Sequence, residues 1–268
     1  MHQNLESWTE TLLAKGRYSF ALEKVREEFD QLTDVAIKLA LKRLVDKGKI
    51  VSIHKGYYLI LPPQYAVKGI LPPSLFLDAF MKFLQRPYYV SLLNAAAYHG
   101  ASHQQPQEFF VMTVFPVLRP TAKKGLKINY ISIKRIPPQL TEQRKTEAGY
   151  LTISSPALTA TDLVQYENRI GGLSRAATVL DELAEVLTPT SFSPDLLVHA
   201  HTTSLQRLGY LLEYACFNQA LADALHLAMN QQGLNRLRVP LKASGEVKGY
   251  SSQNRWNVIV NTEIELDD

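Results

Sequence analysis

Cysteine is almost missing from this chain: among 268 residues there is one, Cys216, so neither a disulfide framework nor a cysteine-rich zinc site can be assembled from it. Long apolar runs are missing too, and no stretch approaches the roughly 20 residues that a membrane-spanning helix requires. Met1 to Glu10 includes Glu6 and Glu10 and has no apolar core of the kind a secretory signal carries. A soluble, cytoplasmic protein is the expectation. There is no internal repeat and no low-complexity tract. Nor is there a Gly-x-x-x-x-Gly-Lys-Ser/Thr phosphate loop, a Gly-x-Ser-x-Gly elbow or an Asp-Phe-Gly kinase triplet, which removes several common nucleotide-binding and hydrolase classes.

What is present is an apolar share of 46% and a formal net charge of +4. The first is enough to bury cores in two or three compact units, and the second permits nucleic-acid binding without arguing for it. The informative stretch is Ser19 to Ile60. Leu22, Val25 and Phe29 form an i, i+3, i+7 stripe, which predicts a helix from Ser19, as cap, to Phe29. Asp30-Gln31-Leu32 connects it to a second helix that Thr33 caps and Gly48 ends. On that second helix Ile37, Ala40, Leu41, Leu44 and Val45 share the inner side, while Val35, Lys38, Leu39, Lys42 and Asp46 face outward, with Arg43 at the margin. Lys49 to Ile60 then alternates β-branched and aromatic residues around His54-Lys55-Gly56, a predicted hairpin with a basic tip.

Helix, turn, basic helix and hairpin in this order predict a winged helix-turn-helix, a device that lays its second helix in the DNA major groove. Between Thr33 and Lys55 the cations Lys38, Lys42, Arg43, Lys47, Lys49 and Lys55 face only two anions, Asp34 and Asp46. Such an excess attracts phosphate. Thr33, Val35, Lys38, Lys42 and Arg43 are therefore the candidate DNA contacts on the helix, and His54 and Lys55 those on the wing. A solvated lysine face is the plain reading of the same spacing, and winged helices also serve as protein-docking modules.

Paired prolines at Pro62-Pro63 and Pro72-Pro73 exclude helix and central strand locally and predict a linker. The expected division is residues 1–68 as a winged-helix domain and 69–268 as the remainder, with a further break at the Pro-rich stretch 188–194. Beyond the linker, helices are expected near Ser74 to Leu84, Ala157 to Gln165, Leu173 to Leu187 and on to Gln232. Strands are expected at Phe109 to Phe115, Leu126 to Ile133, Gly149 to Ile153 and Trp256 to Val260. The fold class is α+β: an N-terminal winged helix-turn-helix, a mixed α/β region, and a mainly helical C-terminal part closed by a terminal strand.

Several segments outside the winged helix carry a family resemblance. They are Pro87 to Gly100 (PYYVSLLNAAAYHG), Ser155 to Val164 (SPALTATDLV), Gly171-Gly172, Arg207 to Leu212 (RLGYLL), and Asn254-Arg255-Trp256 with Asn261. Together with the N-terminal segment ending in Gly56-Tyr57-Tyr58, they resemble the AbiEi family of abortive-infection antitoxins over almost the whole chain. The resemblance implies a bacterial type IV toxin-antitoxin system active in phage resistance. It implies an N-terminal domain that represses its own operon at inverted-repeat operator DNA, as a dimer or by cooperative binding. It also implies a C-terminal region that functionally neutralises a nucleotidyltransferase-like toxin, with direct contact between the two left open. No catalytic residue, cofactor or metal is expected. A protein-interaction adaptor and a generic regulator using the same winged helix stay open as alternatives.

A second basic tract, Arg119 to Lys145, carries Arg119, Lys123, Lys124, Lys127, Lys134, Arg135, Arg144 and Lys145 against Glu142. Arg119, Lys123, Lys124 and Lys127 are candidates for additional phosphate contacts; contact with an acidic toxin or tRNA, or plain solvation, would suit the same residues. His99 and His103 have zinc-like spacing but lack a third ligand, and His199 and His201 diverge on a helix. Gly171-Gly172 reads as a turn. Pro194-Asp195 with Glu246-Val247-Lys248 mimics a metal-dependent nuclease pattern, but the separation is long and Asp195 has an ordinary place at a helix start.

Overall fold

The computed structural model describes residues 4–101 and 106–266. The chain begins with helix α1 (Leu5–Ala14), which Asn4 caps by accepting from the Ser7 N–H. Then come β1 (Ser19–Ala21), α2 (Leu22–Glu28), α3 (Asp34–Asp46), β2 (Ile50–His54), β3 (Tyr57–Ile60), α4 (Pro63–Ala66), α5 (Leu77–Phe83), β4 (Tyr88–Val90) and α6 (Leu92–Tyr98). Four strands follow the undescribed residues 102–105 and the start of the next loop: β5 (Phe109–Val114), β6 (Thr121–Lys123), β7 (Leu126–Ile133) and, after a 3-10 turn at Pro138–Leu140, β8 (Thr141–Thr146). The remainder is β9 (Gly149–Ser154), α7 (Pro156–Gln165), α8 (Leu173–Leu183), α9 (Pro194–His199), α10 (Thr202–Tyr214), α11 (Gln219–Gln231), β10 (Val239–Pro240) and β11 (Val258–Ile259). The protein is α+β.

Three sheets form. One has the order β1-β3-β2, one pairs β10 with β11 in parallel, and the largest has the order β6-β7-β5-β4-β9-β8. In the largest, β5 and β7 run parallel in an unbroken register from Phe109 opposite Ile128 to Val114 opposite Ile133. β6 turns back antiparallel on β7, and β4 pairs in parallel with β9.

Contacts divide the chain into two compact units: Met1–Tyr89 with Gln107–Ile136 and Gln143–Thr152, and Val90–Pro106 with Pro137–Glu142 and Ile153–Asp268. Both proline pairs lie in the first unit. Pro62-Pro63 does not exclude helix, contrary to expectation: Pro63 stands at the first helical position of α4, where the missing N–H would have had no partner.

In the first unit, Trp8, Phe20, Val25, Phe29, Ile37, Leu41, Leu44, Ile50 and Ile60 are buried together. Trp8 meets Phe20 and Phe29 edge to face, with centroids 5.1 and 6.1 Å apart, a favoured arrangement for aromatic quadrupoles. Ser19 is not the cap of α2. It is a strand residue opposite Leu59, and its hydroxyl lies 2.7 Å from that of Tyr57. Leu22, Val25 and Phe29 nevertheless form the inner side of α2, with Leu22 only partly buried. Thr33 does cap α3, accepting from the Ala36 N–H at 3.2 Å. At the other end Gly48, at φ +69°, closes a Schellman-type stop in which Lys49 N–H reaches the Leu44 carbonyl at 2.9 Å. Ile37, Leu41 and Leu44 are buried as expected, but Val45 is left at the solvent margin.

The second unit is built around α7, whose residues Ala157 to Val164 are all buried. A helix buried on every side belongs at the centre, with its polar Thr159, Thr161 and Asp162 hydrogen-bonded there, and α6, α8 and α10 pack on it. Ser155 caps it, and Pro156 occupies its first position. The C-terminal segment is held on α10: Trp256 is fully buried, and its indole N–H donates to Glu213 at 2.7 Å. The terminal strand is shorter than the expected Trp256 to Val260, and its partner β10 had no signal in the sequence.

Candidate nucleic-acid interface

The site begins with the outward side of α3. Val35, Lys38, Leu39 and Lys42 stand at i, i+3, i+4 and i+7, and all four are exposed, because the opposite side is fixed by Ile37, Leu41 and Leu44 in the core. Thr33 and Arg43 are exposed at its edges.

Its electrostatics differ from a simple count of charges. Lys47 donates to Glu6 at 3.0 Å, and Lys49 is bonded to Glu6 and lies 3.5 Å from Glu10. Helix α1 therefore neutralises two of the cations in the local excess. The two lysines hold the Glu6 carboxyl below its ordinary range, with the Lys49 bond the larger cause. Asp34, at the start of α3, is itself held by a two-pronged bond from Arg26, with Nε 3.0 Å and Nη2 3.1 Å from its oxygens. Among the described residues Lys38, Lys42, Arg43 and Lys55 make no ion pair. The net result is a concentration of unpaired cations on α3 and the hairpin tip. Arg26 and Glu6 set that pattern from eight and more residues away, beyond the reach of local charge reading.

At the hairpin, Gly56 takes φ +74° and turns the chain from β2 to β3. His54 and Lys55 are both exposed at the tip, but their settings differ. The His54 ring lies against Phe80 and Phe83, with centroids 5.8 and 6.1 Å away, and its Nδ1 is 3.1 Å from the Lys55 carbonyl oxygen. Lys55 has no such attachment. The second basic tract is dispersed: β6 lies against β2, and Arg119, Lys123 and Lys124 are exposed around it. Lys124 extends over Gly69, and Lys127 is paired with Glu108 at 2.5 Å. Lys134 and Arg135 follow the end of β7, while Arg144 and Lys145 lie on β8.

The other sequence motifs fall in the second unit and have structural settings. Ser91 stands at the cap position of α6 yet makes no cap bond; its hydroxyl donates instead to Asp162 of α7 at 2.6 Å, with both groups buried. Ser154 and Thr159 share a bond of 2.6 Å beside it. His99 Nε2 is 2.7 Å from the Ser154 carbonyl oxygen, and His103 lies outside the described residues. Gly171 and Gly172 form a turn at φ +105° and +100° ahead of α8.

Arg207 donates from Nε to the Pro240 carbonyl at 2.9 Å. It faces the buried Glu167, whose carboxyl is pushed up, mainly by burial. Asn254 accepts from the Trp256 and Val258 N–H groups, and Asn261 bridges Lys242 and Glu246. Arg255 lies over the Trp256 ring and pairs with Glu213 and Asp223, each at 2.5 Å. Asp195 sits in the first turn of α9 with Ser193 as cap, and Glu246 lies in the loop after β10. Among the described residues no group of three or more His, Cys, Asp and Glu side chains is arranged to hold a metal ion, and no helix is long and apolar enough to cross a membrane.

The fold is thus that of an α+β protein with a helix-and-hairpin unit near its start and a helix-centred unit that closes on its own C-terminal segment. Residues 89–214 match the family described as the AbiEi antitoxin C-terminal domain. That match makes this segment an AbiEi antitoxin domain and supports an antitoxin role for the chain. No curated protein matches the sequence. Among solved structures, the crystal structure of the RV2827C protein from Mycobacterium tuberculosis is similar in fold, with a TM-score of 0.68 at 16% identity, over 93% of this chain and 88% of that one.

Proposed function

We propose that this chain is a non-catalytic, operator-binding antitoxin of a type IV system. In this reading residues 1–68 work as a winged helix-turn-helix: α2 is the supporting helix, α3 the recognition helix and the β2–β3 hairpin the wing. Lys38, Lys42 and Arg43 contact phosphate or base edges, with Thr33 and Val35 near the bases, and His54 and Lys55 meet the backbone from the wing. Arg119, Lys123 and Lys124 extend the footprint, Lys127 less so because Glu108 holds it. The protein binds inverted repeats and represses its own operon, with half-sites ~34–36 Å apart or at a multiple of that distance. Residues from 69 onward, including the AbiEi domain, counter a nucleotidyltransferase-like toxin.

The observation that supports the DNA half most is the outward face of α3, where unpaired cations collect while Lys47 and Lys49 are neutralised by α1. The family match supports the antitoxin half. Both are tested in cells that carry the neighbouring nucleotidyltransferase gene and a reporter driven by the chain's own promoter. Lys38→Ala with Lys42→Ala should release the reporter while rescue from toxicity continues. Retained repression would refute the DNA face, and loss of rescue alongside normal protein levels would refute the separation of tasks. A wild-type chain that gives no rescue would refute the antitoxin half.

A further inference from the structure

The outward face of α3 is apolar as well as charged. Val35 and Leu39, one turn apart, keep 67% and 50% of their surface exposed, and Lys38 and Lys42 lie beside them on the same stripe. A site that combines branched aliphatic groups with unpaired cations suits a polyanion that offers apolar groups between its charges. Duplex DNA does so in one place: the major-groove edge of thymine, where the C5 methyl projects. We propose that Val35 and Leu39 read thymine methyl groups, so that each operator half-site presents thymines to this stripe.

This inference rests on the DNA-binding reading above and adds sequence preference to it. Leu39 lies about 6 Å further along the helix than Val35, at a rise of 1.5 Å per residue. Base pairs are spaced at about 3.4 Å, so the two methyl groups fall within roughly two base-pair steps of each other. Asp34, the one acid in the first turn, is engaged by Arg26 and does not compete as an acceptor for cytosine. A second copy of the chain is the poorer occupant, since apposed stripes would bring Lys38 and Lys42 against their own counterparts.

The test uses the full chain and fluorescein-labelled duplexes spanning the DNA upstream of its coding sequence, made with thymine or with deoxyuridine, which lacks only the methyl. Binding is read by anisotropy. For the wild type, each contacted thymine changed to deoxyuridine should weaken binding about fourfold, the scale of one buried methylene. Val35→Ala and Leu39→Ala should weaken binding to the thymine duplex and lose sensitivity at their own position, whereas Lys38→Ala should stay sensitive. Equal wild-type affinity for both duplexes would overturn the inference and leave DNA binding standing. No wild-type binding to either would overturn both. Dissociation of a DNA-free oligomer by Val35→Ala or Leu39→Ala, seen by light scattering, would assign the stripe to a second copy instead.

Discussion

Gly209 is the position where a single methyl group tests the packing of the second unit most sharply. A Cβ built there would stand 2.1 Å from Cζ3 of Trp256, well inside any allowed contact. The ring has no obvious escape. Arg255 covers it at 5.2 Å, His226 meets it edge to face at 5.4 Å, and its N–H is held by Glu213. Overpacking of this kind costs about 1–3 kcal/mol, and full expulsion of a buried tryptophan about 3–5. Against that, alanine in place of glycine inside a helix gains about 1 kcal/mol. A net loss of about 2 kcal/mol is expected for Gly209→Ala. The assay is urea unfolding of the full chain with Trp8→Phe, so that Trp256 is the one remaining tryptophan of two and its emission reports on this unit. In a Trp256→Ala background, followed by circular dichroism, the sign should reverse and Gly209→Ala should stabilise. Equal destabilisation in both backgrounds would refute the argument, because it would place the cost somewhere other than the ring.

Further expectations concern caps, buried bonds and pH. Thr33→Ala should cost about 1 kcal/mol by removing the cap of α3, while Thr33→Ser keeps it; equal losses in denaturant unfolding would show that the cap bond is not the cause. Ser91→Ala should cost roughly 1–3 kcal/mol, since Asp162 would lose a buried donor; an unchanged unfolding midpoint would contradict the bond. Glu6 is ionised below its ordinary 4.5 because Lys49 and Lys47 hold it, so its contribution to stability is present above that value and fades as pH falls through the lower, folded-state value. Wild type and Glu6→Gln should therefore differ in thermal midpoint near neutrality and converge in acid; a constant difference would assign the effect to something other than this ionisation.

Much of α3 was legible because local rules agree there: Thr33 caps, Gly48 stops, and the apolar period selects Ile37, Leu41 and Leu44. The β2–β3 hairpin and α7 were legible for the same reason. Elements defined by partners were not. Ser19-Phe20-Ala21 is a strand through pairing with β3, and nothing in three residues announces that. β8, Thr-Glu-Gln-Arg-Lys-Thr, has no apolar alternation to detect. The first unit is also discontinuous, because residues 107–136 and 143–152 return to it, and parallel pairing such as β5 with β7 leaves no mark in a linear pattern. At the site, residue types were readable but ion pairs were not: Glu6 with Lys47 and Lys49, and Glu108 with Lys127, join residues 19 to 43 positions apart. The helical period places Leu39 outward, but how much of it stays exposed beside Val35 is set by the packing around α3.

If the unpaired cations of α3 hold DNA as proposed, the salt dependence of binding to the DNA upstream of the chain's own coding sequence measures it most directly. Log affinity against log salt should be linear for the wild type, with a slope that becomes shallower by about 0.9 for each phosphate contact removed. Lys38→Ala with Lys42→Ala should flatten the slope by up to about 1.8 on that scale while circular dichroism stays unchanged. An intact double variant with the wild-type slope and affinity would contradict the account.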